Sequence, residues 1–113
     1  MEMTVTDIDG SHVKVALTGR LDTAAVDRIE TALVARIVPR GVHAIIDLSN
    51  VEFIGSMGVR MLISTARALA RKNGRLVLMA PQEGVREVFD NVSLGDIIKI
   101  CADESEALAA LQA

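Results

Sequence analysis

Apolar and polar residues alternate with period two from Met3 to Thr6 and again from Val13 to Leu17. Such alternation belongs to extended segments with one face on a core and the other in water. Asp9-Gly10 lies between the two runs and predicts a hairpin turn. The pattern breaks at Gly19-Arg20-Leu21-Asp22, and the period then becomes helical. Val26, Ile29, Leu33 and Ile37 share one face, and Asp22 or Thr23 supplies a capping oxygen at the start. Pro39-Arg40-Gly41 stops the run.

Further along, Ala44-Ile45-Ile46-Asp47-Leu48 is mostly apolar, as in a strand covered on both faces. Ser49-Asn50 reads as a turn. Gly55-Ser56-Met57-Gly58 leads into a second helix of about four turns, with Val59, Leu62, Ala66 and Leu69 as its buried stripe. Asn73-Gly74 closes that helix. Leu76 to Met79 predicts a strand, and Pro81 suits the first position of a short helix reaching Asp90. A last strand is expected within Asp96 to Ile100. Asp103-Glu104-Ser105-Glu106 resembles a capping box, with Ala107, Leu108 and Leu111 following on one helical face. Strands alternating with helices predict an α/β fold. One domain is expected over residues 1–113. Its sheet should hold about four to five strands, packed against about four helices.

Composition bears on function more than on fold. Phe53 and Phe89 are the only aromatic residues, so platforms for base stacking are missing. A formal net charge of −3 gives no general attraction to phosphate backbones or anionic lipids. Neither a nucleic-acid nor a membrane partner is expected. With Cys101 as the only cysteine, no intramolecular disulfide can form. No secretion leader opens the chain and no apolar run approaches membrane-spanning length, so a cytoplasmic protein is expected.

The residues also argue against an enzyme. His12 and His43 each open a predicted strand and read as surface or rim residues without a nucleophile beside them. Cys101, beside an apolar run, reads as a small buried hydrophobe. One cysteine and two scattered histidines do not make a zinc site, and neither metal nor cofactor is expected. Gly55-Ser56-Met57-Gly58 lacks the lysine of a P-loop and the glycine spacing of a dinucleotide fingerprint.

The same loop places Ser56 at a helix N-terminus. Either the serine is an ordinary N-cap, or it receives a phosphate that free N–H groups and the helix dipole would favour. Gly58 is expected to keep the first turn uncluttered, so that a partner's active site can reach the hydroxyl. Arg60, Ser64, Arg67 and Arg71 form a basic stripe opposite the buried face of this helix. That stripe is either a solvated face or a surface for an acidic partner.

A strand ending Asp47-Leu48-Ser49, a hydrophobic step, and Ser56-Met57-Gly58 opening a helix resemble the STAS domain of anti-sigma factor antagonists. Leu17-Thr18-Gly19-Arg20-Leu21-Asp22 and Ala80-Pro81-Gln82-Glu83-Gly84-Val85 extend the resemblance over nearly the whole chain. It implies that Ser56 is phosphorylated by an anti-sigma factor that is also a serine kinase. The unphosphorylated form then binds that kinase and releases the sigma factor, and a serine phosphatase resets the switch. It further implies that Asp22 lies on the partner-binding surface. The glycine-flanked loop and the start of its helix extend that expected surface to Gly55, Ser56, Met57, Gly58 and Arg60, and a monomer or weak dimer is expected. Two positions depart from the family pattern. Gly55 stands where Asp is usual, and Met57 where Ser or Thr is usual. Two other functions stay open: a constitutive STAS subunit of a larger, transporter-associated assembly with Ser56 only a cap, and a small-ligand or nucleotide sensor.

Overall fold

The hairpin forms as the alternation predicts. In the computed structural model, which describes residues 1–112, β1 (Glu2–Asp9) runs antiparallel to β2 (His12–Leu21). Asp9 fastens the turn by accepting from the backbone N–H of Ser11 at 2.8 Å and of His12 at 3.0 Å. These bonds favour the charged carboxylate. The Ser11 N–H, followed by the His12 side chain, holds the Asp9 pKa down at about 2.

Helix α1 (Thr23–Ile37) follows β2, and β3 (His43–Ile54) then pairs parallel to β2. Helix α2 (Ser56–Ala70) leads to β4 (Leu76–Met79), and α3 (Glu83–Asn91) leads through a short 3-10 turn at Leu94–Asp96 to β5 (Ile100–Cys101). Helix α4 (Glu104–Gln112) ends the described chain. The sheet order is β1-β2-β3-β4-β5, parallel from β2 onward.

Right-handed crossovers that add strands in one direction leave their helices on one side of a sheet. Accordingly α1, α2 and α3 contribute Ile29, Leu33, Leu62, Leu69 and Phe89 to one core with Val15, Ile46 and Leu78. On the opposite face Ala107 and Leu111 of α4 cover Ile45, Val77, Met79 and Cys101. Lys14 Nζ donates to Glu104 Oε1 at 2.8 Å and ties α4 to β2. Burial pushes the Cys101 thiol pKa up, as its reading as a small hydrophobe requires.

Several boundaries differ from expectation. Ser49-Asn50 is not a turn, and Gly19-Arg20-Leu21 is not a break. The two turn-like segments pair with each other, Thr18 with Asn50 and Leu21 with Ile54, and register shifts absorb their irregularity. Pro81 lies outside α3, whose N-cap is Gln82, because the chain leaves β4 through Ala80 at φ 56° before the helix can start. The last strand begins later than Asp96. Leu94 and Ile98 are drawn into the core, which leaves only Ile100 and Cys101 to pair with β4.

In α2 the buried stripe is wider than Val59, Leu62 and Leu69, since Gly58, Met61 and Thr65 are buried as well. Ala66 is only half-buried. Thr65 has no exposed surface, and its hydroxyl oxygen is the one buried side-chain polar atom without a hydrogen-bond partner among the described residues. A buried unpaired hydroxyl costs free energy that a methyl group of the same shape does not. Thr65→Val is therefore expected to raise stability by about 1 kcal/mol and Tm by about 4–8 °C in a thermal melt. A lower Tm would show that the hydroxyl is satisfied.

Candidate functional site

Because Leu21 pairs with Ile54, the chain leaves β2 and β3 side by side, at the carboxyl ends of parallel strands where α/β sheets present their sites. Gly55 N donates to the Leu21 carbonyl at 3.1 Å and locks the two exits together. Asp22 then caps α1, its carboxylate accepting from Ala25 N at 2.9 Å. The structure thus brings Asp22, Gly55 and Ser56 to one edge.

Ser56 is not the helix N-cap. Gly55 takes that position with φ −99° and ψ 178°, and no side chain caps the helix. The physical reason is the bond from Gly55 N to β2, which keeps Gly55 extended and makes Ser56 the first helical residue. The first rung runs from Val59 N to the Gly55 carbonyl. The N–H groups of Ser56, Met57 and Gly58 therefore precede any partner within the helix. Ser56 is exposed, and its hydroxyl makes no hydrogen bond in the described structure.

Gly58 serves packing, not access. It is buried, and a Cβ there would lie 2.8 Å from Ile54 Cγ1 and 2.9 Å from the Leu21 carbonyl oxygen. Its bare backbone lets α2 rest on the ends of β2 and β3. Met57 is half-buried and packs against the main core, while Arg60 is exposed.

The stripe on α2 is exposed as expected, and Ser56 belongs to it. Ser56, Val59, Arg60, Ile63, Ser64, Arg67 and Arg71 line one shallow groove of about 520 Å³. From the sequence only Arg60 falls within a turn of Ser56; the groove also takes in Ile63 and the rim of the buried Val59. A further contact lies at the crest of the loop. The Arg20 guanidinium sits 4.4 Å above the centre of the Phe53 ring, a cation–π arrangement. Phe53, 39% exposed, flanks the loop closely enough that a Cβ on Gly55 would lie 3.6 Å from its ring. The available signal was a phenylalanine, one of only two in the chain, two residues before Gly55.

The sequence profile described as the STAS domain matches residues 3–107. The anti-sigma-B factor antagonist of Staphylococcus epidermidis is 30% identical over 98 residues, covering 86% of this chain and 88% of that protein. The anti-sigma F factor antagonist of Lysinibacillus sphaericus is 34% identical over 84 residues, 74% of this chain and 72% of that one. Among solved structures, the unphosphorylated anti-sigma factor antagonist SpoIIAA superposes with a TM-score of 0.81 at 28% identity, covering 98% of this chain and 96% of that one. Its phosphorylated form, from Bacillus, gives 0.71 at 27% identity, with 96% and 98% covered.

Proposed function

We propose, from the fact that this chain belongs to the STAS domain family, that it is an anti-sigma factor antagonist. It acts by binding a protein partner and not by catalysis, and Ser56 is the switch. The observation that carries this reading is the exposed, unbonded Ser56 hydroxyl on the first residue of an uncapped helix. A phosphate there meets free backbone N–H groups and the positive end of the helix dipole, a stabilisation of about 0.3–1 kcal/mol. The relatives named as antagonists and the solved phosphorylated form of SpoIIAA support it. In the alternative of a constitutive STAS subunit of a larger assembly, Ser56 would not serve as the cap of α2, since Gly55 holds that position.

The partner is an anti-sigma factor with serine-kinase activity, and a serine phosphatase reverses the step. Asp22, Gly55, Ser56 and Arg60 form the centre of the binding edge, with Met57 and Gly58 supporting it from below. The protein works in the cytoplasm as a monomer or weak dimer. No helix among the described residues is long and apolar enough to cross a membrane.

The test is incubation with the kinase-like anti-sigma factor encoded beside this chain, with ATP, read by intact mass and site mapping. Wild type is expected to gain one phosphate on Ser56, and Ser56→Ala none. Gly55→Asp should be phosphorylated faster. The backbone at Gly55 suits any L-residue and the Phe53 ring leaves room for a side chain, so the carboxylate can orient the neighbouring hydroxyl. An active kinase that leaves Ser56 unmodified would overturn the switch.

A further inference from the structure

We infer that the outer face of α2 is a docking seat for an acidic amphipathic helix of the partner protein. The inference rests on the reading of the Ser56 edge as a partner interface and gives that partner its chemistry. Ser56, Ile63 and Arg67 fall within about 40° of one another around α2, directly opposite the buried residues Gly58, Met61, Leu62, Thr65 and Leu69. Arg60, Ser64 and Arg71 flank that line on one side and the rim of the buried Val59 on the other, so the half-buried Ile63 with the edge of Val59 gives the groove a narrow apolar strip beside the basic one.

Charge identifies the occupant. Acidic residues outnumber basic ones in this chain, 15 to 12, yet Arg60, Arg67 and Arg71 have no ion pair among the described residues. Arg28, Arg36 and Lys72 also have none, so what distinguishes the three is that they share one face of one helix. Three unneutralised guanidinium groups on one helix face are complementary to carboxylates.

From Arg60 to Arg71 the stripe is about 16 Å long, three helical turns. A helix laid along α2 matches it with carboxylates at i, i+7 and i+11 and with leucine-type residues on the adjoining strip, where Val59 and Ile63 lie. A polynucleotide would leave that apolar strip uncovered, and the chain offers no stacking platform beside it.

The experiment uses the full chain and a fluorescent, stapled helical peptide of about four turns, with glutamates at i, i+7 and i+11 and leucines on the adjoining strip. A peptide of the same composition in scrambled order is the control. Wild type is expected to bind the ordered peptide at least about tenfold tighter than the scrambled one. Arg67→Glu with Arg71→Glu should weaken binding at least about tenfold, and Arg67→Gln with Arg71→Gln by less. A lysine version of the peptide should bind the glutamate variant better than it binds wild type.

The glutamine pair covers the case in which charge reversal at the helix end disturbs folding. Equal binding of both peptides, an unaffected glutamine pair, tighter binding of a single-stranded oligonucleotide, or occupation of the groove by a second copy of this chain would each overturn the proposal. The kinase assay keeps the two readings apart. Phosphate transfer without peptide binding removes only the docking seat, and peptide binding without phosphate transfer removes only the Ser56 switch.

Discussion

Gly58→Val is expected to lower stability by about 3 kcal/mol and Tm by about 10–20 °C. A Cβ at this position meets Ile54 Cγ1 at 2.8 Å, the Leu21 carbonyl oxygen at 2.9 Å and Leu21 Cγ at 3.0 Å. The carbonyl cannot retreat freely, because it accepts the hydrogen bond from Gly55 N that holds the two strand exits together. Valine also gains little as a helix former over glycine, so propensity does not offset the clash. The internal comparison is Gly84 in α3, where a Cβ meets nothing within 4 Å. Gly84→Ala should stabilise by about 0.5–1 kcal/mol. Thermal melts of the two variants check both signs. Equal tolerance at Gly58 and Gly84 would mean that α2 does not rest on the ends of β2 and β3.

Ser56→Asp is expected to weaken binding to the anti-sigma partner at least tenfold, about 1.4 kcal/mol, while Ser56→Ala keeps wild-type affinity. The carboxylate brings charge to the middle of the proposed contact, where it is either desolvated or repelled. Folding does not confound the comparison. A negative charge in the first turn of a helix is favourable by about 0.3–1 kcal/mol, so the variant should melt at or slightly above wild type. Affinity measured by calorimetry, with a melt on the same samples, separates binding from stability. Unchanged affinity for Ser56→Asp would remove the Ser56 edge from the interface.

The two predictions share a cause. Gly58 sets how closely α2 approaches the strand ends, and that approach sets where Ser56 stands relative to Asp22. A change at the buried glycine therefore reaches the exposed serine through packing and not through contact.

By itself the sequence determined the local periods. Alternation in β1 and β2, the Asp9-Gly10 turn and the Val26-Ile29-Leu33-Ile37 face form as read, and of the capping box at Asp103 one half does, its carboxylate accepting from Glu106 N at 2.9 Å. Each depends on neighbours within about one helical turn or one hairpin, which is the range over which side-chain order specifies backbone shape. The Arg60-Ser64-Arg67-Arg71 stripe was legible for the same reason. Only the tertiary structure decided what depends on partners distant in the chain. Gly19-Arg20-Leu21 reads as a break and Ser49-Asn50 as a turn, and these stretches become strand because β2 and β3 supply each other's hydrogen bonds from Thr18 to Leu21 and from Asn50 to Ile54. That pairing brings Leu21 to Gly55, makes Gly55 and not Ser56 the cap, and leaves the serine hydroxyl unbonded. It likewise sets Arg20 over Phe53, residues more than thirty positions apart. Local pattern fixes which face of an element turns inward, but the edge where two elements meet is set by register and close packing.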